Sequence, residues 1–216
     1  MTLMLTATGR TVDLATLASD EVDVEHICHC LPRINRFGGL THYNVAAHSL
    51  HVAAILADEG ATPLMQLCGL LHDAHEAYLG DITQPVKQLF TSPGDGQGSM
   101  LSGIELRLQK TVLQRFCLWA AFTGFYKRVH RADMIALATE RRDLLPPTDV
   151  EWPCLRGITP HHWNLANGRL QWTVKQWEDT FASKLAELQT AVAIAIEQQL
   201  GGRRRVETMP STGAVQ

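Results

Sequence analysis

The chain has no basic excess: 19 Lys and Arg stand against 22 Asp and Glu, a formal net charge of -3. That balance excludes a general binder of nucleic-acid polymers or of anionic membranes, which works through surplus positive charge. Any phosphate must therefore be held by a few local Arg and Lys residues. No apolar run approaches the ~20 residues that a membrane helix needs. The opening MTLMLTATGR lacks a basic stretch followed by a long apolar one, so no secretory leader is read there. The five cysteines (Cys28, Cys30, Cys68, Cys117, Cys154) contain no CxxC pair and are odd in number. They suit buried free thiols in a reducing cytoplasm better than a disulfide framework. No internal repeat is present, and strand signals are sparse.

What is present fits one soluble domain. A length of 216 residues with 45% hydrophobic and 19% charged content is enough to bury a sizeable core. Residues 1–14 alternate weakly around Thr8-Gly9-Arg10 and predict a small hairpin. Ser19-Asp20 caps a short helix over 21–31, and Arg33 to Tyr43 reads as a loop. Apolar positions at Val45, Val52, Ile55 and Leu56 give helical spacing over 44–59. Thr62-Pro63 starts a helix that runs to Leu79, where Gly80 stops it. Ser92 to Ser99 is Gly-rich and predicts a flexible loop. Helices follow over 100–117 and 122–145, the latter stopped by Pro146-Pro147. An irregular Trp- and Pro-containing stretch occupies 146–171, and a last helix 172–200. The class is all-α: one domain over 1–200, with 201–216, including Arg203-Arg204-Arg205, as a disordered tail.

The chemistry concentrates on His72-Asp73, a doublet inside the apolar run Leu67 to Ala74. Imidazole and carboxylate are costly to bury unless paired or bound to a metal. His48 lies in line with Val45, Val52 and Ile55, and Asp133 lies in line with Tyr126, Val129 and Leu137. Both face inward, so donors from three helices converge. His51 is one turn from His48 but about 60° off its stripe by helical geometry. Two imidazoles with two carboxylates suit one divalent transition ion, Mn, Fe, Co, Ni or Zn, better than an all-oxygen magnesium or calcium site. The histidines of His26-Ile27-Cys28-His29-Cys30 point in several directions on a helix and read as structural. Thr159-Pro160-His161-His162-Trp163 is a candidate cap over the pocket or an oligomer contact.

The series His48…His72-Asp73…Asp133 resembles that of the HD-domain metal-dependent phosphohydrolases. It is most similar to the bacterial 5′-deoxynucleotidases of the YfbR type and to their phage relatives, which include dATP triphosphohydrolases. The resemblance runs from Asp23 to Leu145. It includes Glu76 three residues after the doublet, Gly80-Asp81-Ile82-Thr83-Gln84-Pro85-Val86-Lys87 beyond it, and Ala132-Asp133 with Ala136 and Glu140. Arg33, fifteen residues before His48, matches the family's phosphate-binding arginine. Ile34 follows it where the family's nucleotidases often carry an aromatic that helps exclude ribose.

The resemblance implies a helical HD-domain bundle and a cytoplasmic, bacterial or phage-encoded homo-oligomeric hydrolase of (deoxy)nucleoside 5′-mono- or triphosphates. Its implied metal ligands are His48, His72, Asp73 and Asp133, holding Co, Mn or Zn, with Mg as a lesser fit. Glu76 handles the proton of the attacking water or leaving group, and Asp81 positions Glu76, the water or a sugar hydroxyl. Arg33 offers a bidentate fork to phosphate, with Arg36 and Lys87 as secondary charges. Two other readings stand beside this one. A phosphodiesterase or alarmone hydrolase is the first, although the chain lacks both the Gly-Tyr-Pro signature of the former and the Glu-Asp pair of the latter. A non-catalytic nucleotide-binding sensor is the second.

Overall fold

The computed structural model describes residues 1–90, 100–166 and 171–207, with side chains described to residue 200. Strands β1 (Leu3–Leu5) and β2 (Thr11–Asp13) pair antiparallel with Met4 opposite Val12, the expected hairpin. Among the described residues the other regular elements are helical: α1 (Val24–Cys30), α2 (Val45–Asp58), α3 (Pro63–Leu70), α4 (Glu76–Leu79), α5 (Gln84–Leu89), α6 (Met100–Arg115), α7 (Trp119–Leu144) and α8 (Val174–Glu207), with short 3-10 turns between some of them. The all-α class with a small hairpin is the observed one.

α2 is the axis of the fold and packs against α3, α7 and α8. Asn44 starts it, its side chain accepting from the Ala47 amide at 2.9 Å. Ala46, Ala47, Ser49 and Ala53 are buried along with Val45, Val52, Ile55 and Leu56, so neighbours close in on nearly every side. α3 comes nearest. A Cβ added at Gly69 would stand 2.5 Å from Leu56 Cδ1, so the Leu56 side chain packs into the space that glycine leaves. α8 completes the bundle with Trp177, Phe181, Leu185 and Leu188. The five cysteines are free thiols. Among the described residues, no helix is long and apolar enough to cross a membrane.

Several boundaries differ from those expected. Ser19–Glu21 forms a separate 3-10 turn, and the cap of α1 is Asp23, accepting from the His26 amide at 3.1 Å. The helix expected from Pro63 to Leu79 is broken at the doublet. His72 Nδ1 donates to the Gly69 carbonyl at 2.8 Å, the acceptor that a continuing helix would give to the Asp73 amide. Past that point the bonds tighten to i−3, Ala74 to Leu71 and Glu76 to Asp73, before α4 resumes. Gly80, at φ 80°, ends α4 as expected. α5 is additional to the expected elements and begins at Gln84-Pro85. α7 starts one turn earlier than expected, at Trp119. α8 continues through Gly201-Gly202 to Glu207, since a glycine costs a helix only about 1 kcal/mol. The expected loop over 92–99 and the tail beyond 207 lie outside the described residues.

Candidate metal centre

Three segments bring four side chains together: His48 from α2, His72 and Asp73 from the turn after α3, and Asp133 from α7. His48 Nε2 lies 3.3 Å from His72 Nε2, 3.2 Å from Asp133 Oδ1 and 3.6 Å from Asp73 Oδ2. His72 Nε2 lies 3.1 Å from Asp73 Oδ2 and 3.9 Å from Asp133 Oδ1. Donors about 2.1 Å from a shared ion stand ~3.0 Å apart across an octahedral edge and ~3.4 Å across a tetrahedral one. The spacings of 3.1, 3.2 and 3.3 Å lie at those edges, while those of 3.6 and 3.9 Å are wider. The donor atoms of His48, His72 and Asp133 all lie within 4.8 Å of one another and could hold a metal ion; Asp73, expected as a fourth ligand, approaches the two histidines but falls outside that group.

The chemistry of the donor set fits as well as its spacing. His48 Nδ1–H donates to Glu140 Oε1 at 2.6 Å, and His72 Nδ1–H donates to the Gly69 carbonyl. Each bond fixes a tautomer and leaves the Nε2 lone pair facing the centre, the arrangement of a metal-ligating histidine. In the metal-free chain a proton between these two nitrogens, 3.3 Å apart, takes the place that a cation would take. The local field favours that positive charge. Burial and Arg36 push His48 down, yet Glu140 and Asp133 outweigh them and hold it up at about 10. Burial lowers His72 too, but Asp73 raises it further. Burial would raise Asp73; His72 and His48 instead hold it well below the usual carboxylate range.

Glu140 is fully buried and joins two parts of the site. One oxygen accepts from His48, and the other accepts from Arg36 Nε at 3.0 Å. Burial would raise its pKa, but Arg36 and His48 pull it down to about 2, so it is anionic at all working pH values. It lies seven residues beyond Asp133 on α7, two turns along the same face. That spacing is the sequence signal for it, and it is visible only once Asp133 is accepted as a ligand. Glu140→Gln is expected to weaken metal binding about 10–100-fold, as loss of outer carboxylate partners does. Competition against a chelating dye, with far-UV circular dichroism as the folding control, measures it.

The structure brings Arg36, and not Arg33, to the donor cluster. Arg33 turns to α8, where Nη1 donates to Glu178 Oε2 at 2.8 Å, and the same nitrogen donates back to the His29 carbonyl on α1. Ile34 packs on the core, its carbonyl accepting from the Val45 amide. Neither is brought to the donor cluster. The chain then doubles back through the Asn35–Asn44 bridge, and the Arg36 amide donates to Tyr43 O at 2.9 Å. This hairpin-like return drives Arg36 inward, with Nη1 3.8 Å from Asp73 Oδ2 and the guanidinium 5.5 Å over the Phe37 ring. Phe37 holds φ 57°, a costly backbone state for a bulky residue.

Glu76, at the start of α4, is buried, and its Oε2 has no hydrogen-bond partner. Burial first, then the charges of Asp73 and Asp81, raise its pKa well above the usual value. Asp81 is half-buried and is raised by burial and by Asp73, against the pull of Arg36 and His48. Lys87 Nζ pairs with Glu105 at 2.8 Å, and its charge is felt by Glu76. His75 is buried with an unpartnered Nδ1. His51 faces away from the cluster and stacks on Trp163, while His26 bonds to Ala7 and Ala77 as a structural histidine. Tyr126, expected on the inward stripe, is instead 54% exposed, because the buried face of α7 follows Val129, Ala132, Ala136 and Glu140.

No family model matches the chain. It is 31% identical over 160 residues to the uncharacterized protein YfdR of Escherichia coli, covering 73% of this chain and 81% of that protein. It is 32% identical over 150 residues to an uncharacterized protein of Rhodobacter capsulatus, covering 66% of this chain and 73% of the relative. On that similarity and coverage, the chain belongs to the family of Escherichia coli YfdR.

Proposed function

We propose that this chain is a metal-dependent phosphohydrolase of the HD-domain type, acting on (deoxy)nucleoside 5′-phosphates. The observation that carries the reading is the junction of two unlike features. Nitrogen and oxygen donors converge from three segments, and Oε2 of the buried Glu76, a carboxyl that feels the charge of Asp73, has no hydrogen-bond partner. A purely structural ion-pair network would satisfy its buried carboxyl rather than leave it open. Two imidazoles and two carboxylates favour Mn, Co or Zn, with Mg a poorer match. A divalent ion bound there polarises a phosphoryl oxygen and makes water more acidic.

The remaining work falls to the chain's own side chains. Arg36 takes the phosphate-binding role expected of Arg33, its planar fork already aimed at the centre by Glu140. Phe37 then supplies the aromatic after the arginine that Ile34 lacks. Glu76 donates a proton to the leaving oxygen or takes one from water, because burial and the charges of Asp73 and Asp81 make it hold a proton more tightly than an ordinary glutamate. Asp81 orients Glu76 or a sugar hydroxyl, and the Lys87–Glu105 pair sets the charge at the rim. The test is a phosphate-release assay over ribo- and deoxynucleoside mono- and triphosphates with Mn, Co, Zn or Mg. Metal-dependent release from at least one nucleotide is expected. Turnover confined to cyclic nucleotides or guanosine tetraphosphate would move the chain to another hydrolase class. Binding without turnover across the panel would make it a sensor.

A further inference from the structure

A second group of metal-type donors lies at the far end of α2. Asp58 is the last residue of that helix, ten residues and therefore about 15 Å along the axis from His48. The irregular segment after α7 lays His161 and His162 against it. His161 Nε2 is 3.1 Å from Asp58 Oδ2, and the rings of His161 and His162 are 4.3 Å apart. One donor atom each from Asp58, His161 and His162 falls within 4.8 Å of the others. We propose that these three residues form a second divalent transition-metal site that staples the 153–166 segment to α2.

Three observations support a built site rather than a chance meeting of surface groups. His161 Nδ1 lies 3.2 Å from Nε2 of the buried His51, which can accept its N–H when the opposite nitrogen binds an ion. His51 is itself held flat against Trp163, with ring centroids 5.3 Å apart and planes 12° from parallel. The backbone of the segment is fixed as well. The His161 amide donates to Thr139 Oγ1 at 2.7 Å, and its carbonyl accepts from Arg142 Nη1 at 3.0 Å. Orientation is therefore set before an ion arrives. Asp58 and His162 are exposed, so water can fill the remaining positions. Two imidazoles and one carboxylate select Zn, Ni, Co or Cu over Mg and Ca. Thr139 adjoins Glu140, so the staple braces the turn of α7 that orients His48.

The test loads the full chain with Zn at micromolar excess, removes free metal by gel filtration and counts bound zinc. The wild-type chain is expected to retain about two ions and His162→Ala about one. His162 is exposed, and its ring contact is with His161, so this variant keeps the fold. Asp58→Asn keeps an acceptor for His161 but loses the anionic oxygen. It is expected to weaken the second ion by more than the ~100-fold that loss of an outer partner costs. Cu(II) binding should quench Trp163 in the wild type and not in His162→Ala. One ion in the wild type that His162→Ala retains, or an unchanged count and quench in both variants, would overturn the second site. A count that falls with Asp73→Ala but not with His162→Ala would leave the first centre standing and remove only this one.

Discussion

Asp73→Ala is expected to abolish metal-dependent phosphate release while the far-UV circular dichroism stays helical, and His72→Ala is expected to do the same. Each removes a donor at 3.1 Å from its neighbour in the cluster, so the ion loses both affinity and position. Lewis-acid stabilisation of this kind supplies several kcal/mol, and each ~1.4 kcal/mol is a factor of ten in rate, so a fall of at least about 10³-fold follows. The fold survives for a local reason. The doublet occupies a turn between α3 and α4, outside the hydrogen-bonded ladder of either helix. In the metal-free protein Asp73→Ala removes a charge that raises Glu76 and also the partner that raises His72, two effects of opposite sign. His72→Ala differs in one respect. It frees the Gly69 carbonyl for the Asp73 amide, so helicity can rise slightly as α3 extends. Phosphate release measured with and without added metal decides both cases. Unchanged turnover in either variant would reject the assignment of the centre.

The convergence of His48, His72, Asp73 and Asp133 is legible in the sequence because burying those groups is expensive, and that cost leaves a pattern in apolar surroundings. Helical stripes are a weaker guide. α2 is buried on nearly all sides, so His48 and His51 are both buried, at 0% and 2% exposure. The stripe separates the two histidines, but it cannot show that His51 stacks on a tryptophan more than 100 residues away. The same limit applies to Arg33 and Arg36. Loop residues carry no periodicity, and the backbone return at Asn35–Asn44 decides which guanidinium goes in. The break at the doublet is hidden for another reason. It comes from a side-chain hydrogen bond, His72 to Gly69, that local propensity does not encode. Asp58, His161 and His162 lie in irregular or terminal positions and meet across more than 100 residues, so only the folded chain shows them together.

Glu76→Gln separates chemistry from stability. Burial, Asp73 and Asp81 lift the folded-state pKa of Glu76 above the 4.5 of an ordinary glutamate. Between 4.5 and that raised value the folded protein holds a proton that the unfolded chain has released. Stability therefore falls as pH rises through this window, and Glu76 works against folding at and above neutrality. Glutamine keeps the shape and cannot ionise. In chelator-treated protein the variant is expected to match the wild type near pH ~4.5 and to exceed it increasingly as pH rises above that toward the raised value, read as a widening difference in urea midpoint. Turnover moves the other way, with a loss of about 10²–10⁴-fold expected for a group that transfers a proton in the reaction. An exposed helical glutamate would yield neither result. A carboxyl that served only to brace the fold would yield destabilisation with a proportionate loss of activity. Only a residue kept for its chemistry, at a cost to the metal-free fold, gives greater stability together with lost catalysis. Equal urea midpoints across the pH range, or undiminished turnover in the Glu76→Gln variant, would remove Glu76 from the mechanism.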